Sequence, residues 1–440
     1  LLALLALAAP AFADDPTFFE IRPFGRGADY LRSVATGDMN NDGYLDIVAD
    51  SRVYLNDSEG GFFNGSATCG VTANVRCYGN DDENVNSVAV ADLNNDGALD
   101  IVIADSGANL KVAYINTGAG VFTTTAPYTR TYATPTSSTY GMAVGDMNND
   151  GYVDIVVGNY NQQSAVYLND GAGNFPTGTT CGGNIRCFGV ITNTVAIAVG
   201  DLNNDGRLDI VASNRLAQIT AYLNDGSGNF GTVLNIGGGN NGPSTFDDST
   251  LALGDMNNDG WLDVITRISS ARGAIFFNTG SGNFATTTVS CGVTADVECV
   301  GTGSDDIFSV AVADFNNDGS LDVALGNYNQ QNVLYFNDGA GNFHYGAITC
   351  AYTALVRCFG SGEDSSIGLA AADVNGDGAL DLVVGNNDGQ QSNVYLNNGA
   401  GRFSTGQVWG ASADQPAHVT VADVNGDGFL DVASANAGGQ

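Results

Sequence analysis

The phrase Asp-x-Asn-x-Asp-Gly-x-x-Asp (with Gly at its fourth position in two copies) packs four short oxygen donors into nine residues. It starts eight times, at Asp38, Asp92, Asp146, Asp201, Asp255, Asp314, Asp373 and Asp423, with gaps of 54, 54, 55, 54, 59, 59 and 50 residues. Positions 1, 3, 5 and 9 are Asp38, Asn40, Asp42 and Asp46 in the first copy, then Asp92, Asn94, Asp96 and Asp100. The next copies carry Asp146, Asn148, Asp150 and Asp154; Asp201, Asn203, Asp205 and Asp209; and Asp255, Asn257, Asp259 and Asp263. The last three carry Asp314, Asn316, Asp318 and Asp322; Asp373, Asn375, Asp377 and Asp381; and Asp423, Asn425, Asp427 and Asp431. Hard cations such as calcium take six to eight oxygens, and these side chains supply them. Position 6 is always Gly, as a sharp turn around an ion requires. Position 7 ranges from Ala98 to Arg207 to Trp261, which points to its backbone carbonyl as a further donor. Position 8 is always Leu or Val, an apolar peg into the core. Three carboxylates this close repel one another unless a cation sits among them. A metal-free, Asx-rich turn is the competing reading. The expectation is Ca2+, about eight ions with a mainly structural role; magnesium fits an all-protein oxygen cage poorly. Eight divalent ions would take the net charge from −34 to about −18. An EF-hand needs an acidic residue at position 12 and flanking helices. Position 12 is here Ala49, Ile103, Val157, Ala212, Thr266, Leu325, Val384 and Ser434, so that reading fails.

The elements that hold these loops read as strands. Each phrase follows a short apolar run such as SVAVAD and precedes a second such as LDIVIAD. A third run ends in a turn, as in VYLNDGAGNF at 166–175, and a Thr-rich fourth stretch leads onward. Short Val- and Ile-rich runs punctuated by Asn, Asp and Gly are hairpin strands. Four strands per unit at a period near 54 predict an all-β propeller of four-stranded antiparallel blades. Eight Asp loops predict eight blades, with a seven-bladed ring plus a spare partial repeat as the alternative. The third-strand phrase occurs seven times, and the segment at 17–25 is expected to close the ring as an outer strand.

On these residues the chain resembles the FG-GAP, or VCBS, repeats of bacterial exported proteins, which are similar to the calcium-binding blades of integrin α-chain propellers. The matching features are the Asp loop and the Tyr-Leu-Asn-x-Gly-x-Gly-x-Phe turn. Phe-Gly itself survives only in scattered form (Phe188-Gly189, Phe359-Gly360), and Gly-Ala-Pro is absent. The resemblance implies the propeller and its calcium, and says much less about a partner.

Composition narrows the setting. There are 48 acidic residues against 14 basic ones, which excludes nucleic acid and anionic membrane surfaces as partners. Residues 1–13 read as the remnant of a secretory signal peptide, too short to span a bilayer, with 14–440 as one propeller domain whose last blade is truncated. Eight cysteines fall in four close pairs: Cys69 and Cys77, Cys181 and Cys187, Cys291 and Cys299, Cys350 and Cys358. Even count, local pairing and an export signal predict four disulfides and a secreted, periplasmic or cell-surface protein.

A second set of residues belongs to the face opposite the Asp loops. GNYNQQ occurs twice, giving Asn159, Tyr160, Asn161, Gln162 and Gln163, then Asn327, Tyr328, Asn329, Gln330 and Gln331; Asn214, Asn386 and Asn436 recur at the first of these offsets. Amides pair with hydroxyls and Tyr rings offer apolar faces, so this face is a candidate site for a glycan or an extracellular protein ligand. The cysteine-bearing loops are expected on the same face. The competing reading is that the Asn residues adopt left-handed turns and the Gln residues are merely solvated. No catalytic motif is present, and His344 and His418 stand alone. Two functions follow: a non-catalytic binding or adhesion scaffold, or an exported lyase-like enzyme acting on polysaccharides on a calcium-stabilised frame.

Overall fold

The computed structural model describes residues 33–49, 51–58, 61–62, 74–78, 85–105, 111–122, 129–133, 138–239, 242–243, 250–268, 272–286, 296–344, 346, 350, 355–409 and 416–436. The leader at 1–13 and the segment at 17–25 lie outside them.

Every described element is a β-strand, 28 in all, and every pairing is antiparallel between chain neighbours. In each repeat the first strand lies innermost. These inner strands touch one another in sequence around the axis, and that of the last repeat, Pro416–Ala422, meets Val34–Gly37 of the first. The ring is thereby closed. Second strands such as Asp209–Asn214 and Asp322–Asn327 are buried along their whole length, because each sheet is covered on both faces by its neighbours. This is why their sequences run apolar without alternation. The core lies between sheets: Val211, Ile219 and Ala221 of the fourth repeat pack with Val264, Ala274 and Phe276 of the fifth. At the seam, Ile47 and Tyr54 pack with Ala433 and Ala435.

Neither eight nor seven separate four-stranded blades form. The described residues make five four-stranded sheets, one six-stranded sheet and one two-stranded sheet. The propeller therefore carries six sheets of four or more strands. The six-stranded sheet unites the third and fourth repeats through two long strands, Asp154–Tyr167 and Ile185–Gly200. Tyr160, in what reads as a turn, pairs with Ser138 on one side and Asn193 on the other, so ladder hydrogen bonds carry the strand through. The last repeat contributes only Pro416–Ala422 and Asp431–Asn436.

Candidate metal loops and the opposite face

All eight Asp phrases sit at the junction of first and second strands, so they share one face of the ring. Their geometry is nearly identical from copy to copy. In the fourth repeat, Asp201 Oδ1 accepts from the Asp205 amide at 3.1 Å and its Oδ2 from the Gly206 amide at 2.7 Å. Asn203 Oδ1 accepts from the same Asp205 amide, and its Nδ2 donates to Asp205 Oδ2 at 3.0 Å. Asp205 Oδ1 accepts from the Arg207 amide at 3.1 Å. Position 4 is left-handed, with Asn204 at φ +53° and Asn258 at +58°, and position 6 follows with Gly206 at +82°. Two consecutive turns of this kind suit Asn and then Gly.

Position 9 is different. Asp209 is fully buried at the start of the second strand, its Oδ2 accepting from the Leu202 amide at 3.0 Å and its Oδ1 from the Asn224 amide at 2.7 Å. Burial pushes this carboxyl up to about 6 despite both amide bonds, and the charges of Asp205 and Asp201 push the same way. Asp46 likewise rises to about 6, and Asp100, Asp154, Asp263, Asp322 and Asp381 to about 7. Asp431 is raised for the same reason. Seven of the eight loops thus hold a fully buried carboxylate, and the eighth, Asp431, a half-buried one, each accepting from backbone amides. Among the described residues, no three Asp, Glu, His or Cys side chains already converge as a metal cluster. The donor types fit a hard cation; the carboxylates are presently turned onto backbone amides.

The sequence reading assigned no role to the asparagine that ends each third strand. Asn56, Asn116, Asn169, Asn224, Asn278, Asn337 and Asn397 are 0–6% exposed. Beyond its amide bond to Asp209, Asn224 donates from Nδ2 to Leu208 O of its own loop at 2.9 Å and to Met147 O of the preceding loop at 2.7 Å. Its Oδ1 accepts from the Gly226 and Gly228 amides of the following turn. The reach to the preceding repeat recurs: Asn397 to Phe315 O, Asn337 to Met256 O, Asn278 to Leu202 O, Asn169 to Leu93 O and Asn116 to Met39 O, all at 2.6–2.7 Å. Asn56 reaches Val424 O across the seam. The signal in sequence was the residue's invariance after Tyr-Leu, Tyr-Ile, Phe-Phe or Tyr-Phe.

On the opposite face the amide-rich loops divide. Asn159 is buried, accepting from Thr139 Oγ1 at 2.8 Å and donating to Gln163 O at 3.0 Å. Asn327 is buried too and donates to Gln331 O at 2.6 Å. Asn214 and Asn386 accept from the hydroxyls of Thr194 and Ser366, which in turn contact Ser164 and Asn332 of the preceding repeats. These asparagines tie repeats together. Asn161 and Asn329 are left-handed, at φ +55° and +52°. Gln163 donates to Gly189 O, Gln331 to Phe359 O and Gln330 to Ser304 O, while Gln162 lies in register with Thr192. The tyrosines stay half-exposed. Tyr160 meets the Tyr140 ring edge-on with centroids 6.0 Å apart, and Tyr328 meets Phe308 at 5.1 Å. A hydrogen bond to Asp388 of the seventh repeat raises the Tyr328 hydroxyl. Arg267, paired with Asp306 at 2.9 Å, lies 6.0 Å from the Phe308 ring centroid.

Two bridges are described, Cys181–Cys187 and Cys350–Cys358. Cys77 and Cys299 are also disulfide-bonded, whereas Cys69 and Cys291 lie outside the described residues. The Cys181 sulfur comes within 3.5 Å of Gln163 Oε1 of the opposite face, although its loop starts from the other side. The third strand ends beside the Asp loop, so the chain enters the fourth strand from that side, and Cys187 lies within the outer pairing, opposite Ala165. His418 lies on the first strand of the last repeat, opposite Ala435. Among the described residues no helix is long and apolar enough to cross a membrane.

Comparison with known proteins agrees with this architecture. An Agrocybe aegerita lectin described by its specific recognition of non-reducing terminal N-acetylglucosamine has a TM-score of 0.52 at 17% identity, over 93% of this chain and 96% of that one. The computationally designed Ika8 protein gives 0.55 at 11% identity, over 95% and 96%, and the Dos1 propeller 0.53 at 10%, over 96% of both. At these identities the likeness is one of fold. No curated protein matches. The FG-GAP-like repeat profile matches six overlapping stretches, at 92–157, 146–212, 201–266, 255–325, 314–384 and 373–434, and the chain belongs to that repeat family.

Proposed function

We propose that this chain is an exported, calcium-loaded binding propeller: cations in the Asp loops stiffen one face, and the opposite face holds a glycan. The propeller of FG-GAP-like repeats is a binding-scaffold fold. For the ions, the carrying observation is the ninth-position carboxylate, fully buried in seven loops from Asp46 to Asp381 and half-buried at Asp431, raised by burial and by two neighbouring acids. A divalent ion among positions 1, 3, 5 and 9 offsets that charge, once the loop carboxylates turn from their amide partners toward it. The bridges at Cys181–Cys187 and Cys350–Cys358 favour an oxidising, extracellular setting.

For the ligand, the carrying observation is the two half-exposed aromatic pairs, Tyr140 with Tyr160 and Phe308 with Tyr328. Aromatic faces stack on the apolar faces of sugar rings, and Asn161, Asn329 and Asp388 beside them offer polar partners for hydroxyls. The lectin of the same fold makes a glycan the first class to test. In millimolar calcium a glycan array should give hits that Tyr160→Ala and Tyr328→Ala reduce together, with calcium uptake unchanged. An array without wild-type hits contradicts the glycan. Unsaturated products from acidic polysaccharides would replace the scaffold reading with that of a lyase.

A further inference from the structure

The asparagine clasps do more than staple repeats. In seven of the eight loops the backbone at position 2 is held from both sides: its N–H donates to its own ninth-position Asp, and its C=O accepts from the next repeat's asparagine. Between the fifth and fourth repeats the path runs from Asp263 Oδ1 to the Asn278 amide at 2.7 Å and from Asn278 Nδ2 to Leu202 O at 2.7 Å. It continues from the Leu202 amide to Asp209 Oδ2 at 3.0 Å. The next segment, Asp209 to Asn224 to Met147 to Asp154, repeats it with bonds of 2.7, 2.7 and 2.8 Å. The same alternation spans seven of the eight junctions, including the seam, where Asn56 reaches Val424 O; among the described residues no such asparagine reaches Val374 of the seventh loop. Chains of buried hydrogen bonds polarise one another.

We infer that these asparagines are positioning residues that couple neighbouring Asp loops, so that an ion bound in one loop raises the affinity of the next. This rests on the calcium reading above. An ion that fixes Asp209 also fixes the Leu202 peptide, and through its carbonyl the end of the neighbouring third strand and the Asp263 carboxylate. The second loop is then partly ordered before its own ion arrives, and the ordering cost it still has to meet is smaller. The link is local. Exposed donors such as Asp201 and Asp205 are outside the belt, whereas position 9 is inside it.

Trp261 stands at position 7 of the fifth-repeat loop and is one of two tryptophans, while Tyr44 and Tyr152 hold that position in the first and third loops. In a Trp409→Phe background, with excitation at the red edge where only indole absorbs, Trp261 is a private sensitiser for terbium in the fifth loop. Emptying the fourth-repeat loop with Asp201→Ala and Asp205→Ala should weaken terbium binding beside Trp261 about fivefold, the lower end of ordinary site–site coupling. Adding Asn278→Ala, or the milder Asn278→Ser where the alanine variant does not fold, should abolish that dependence. A merely structural asparagine would lower the melting temperature and leave the dependence intact. The inference is overturned if the fifth loop ignores the state of the fourth, or if the dependence survives loss of the clasp. A wild-type chain that takes up neither terbium nor calcium defeats the calcium reading itself, and the coupling with it.

Discussion

Raising the pH in a chelator should destabilise this protein, the reverse of ordinary acid unfolding. Asp154 is fully buried, and its carboxyl is pushed from an ordinary 3.8 up to about 7, chiefly by desolvation. Between those two values the folded chain keeps a proton that the unfolded chain has lost. The native state binds more protons there, so its stability falls as pH rises through the window. The displacement of about three pH units corresponds to ~4 kcal/mol for one loop, at ~1.4 kcal/mol per unit. Below the window the contribution is absent because both states are protonated. A bound divalent ion stabilises the ionised form and removes the effect. The assay is a urea midpoint in EGTA at steps from about pH 5 to about pH 8, repeated in millimolar calcium. Amide exchange at Met147 and Asn169, whose N–H groups donate to Asp154, reads the same event for one loop. The midpoint in EGTA should drop across this range and the protection of both amides, taken relative to the intrinsic rise of exchange with pH, should fall, with neither change in calcium. A midpoint in EGTA that stays level or climbs refutes the reasoning.

The inner strands approach so closely that Gly141→Ala should cost about 1–3 kcal/mol, because overpacking against main chain has no rotamer to relieve it. Its Cβ would lie 2.9 Å from Ile197 N and 3.0 Å from Ala196 C of the next repeat. The Cβ of Gly145→Ala would meet side-chain ends alone, Leu208 Cδ1 at 2.7 Å and Met147 Sδ at 3.9 Å, which can rotate away, so the first variant should melt measurably lower than the second. Replacing Cys350 and Cys358 by Ser together should remove roughly 2–3 kcal/mol on the chain-entropy model, and reductant should then lower the melting temperature of the wild type more than that of the variant.

Much of the frame was legible because it is local and repeated. The runs around each Asp phrase became first and second strands, and the phrase itself became their junction at all eight positions. Sheet number departs from eight for two reasons. The last repeat contributes only two described strands, and GNYNQQ at 158–163 has the composition of a turn, yet Tyr160 finds backbone partners on both sides and the strand continues. The same GNYNQQ at 326–331 breaks between Asn327 and Gln330. Turn propensity is a weak prior when ladder hydrogen bonds compete with it. The same composition hid the burial of Asn159 and Asn327, since an isolated amide gives no sign of whether its partner is water or Thr139. The clasp was invisible to any local window: Asn169 and Leu93 are 76 residues apart, and Asn397 and Phe315 are 82. Only the recurrence of Asn at one place in seven repeats pointed to it.

Metal analysis of the purified chain after equilibration with millimolar calcium, paired with melting curves before and after EGTA, tests the central claim most directly. About eight calcium ions per chain are predicted, one for each oxygen-rich loop, with a lower melting temperature once they are stripped. A chain that retains no calcium and melts at the same temperature in chelator would contradict it.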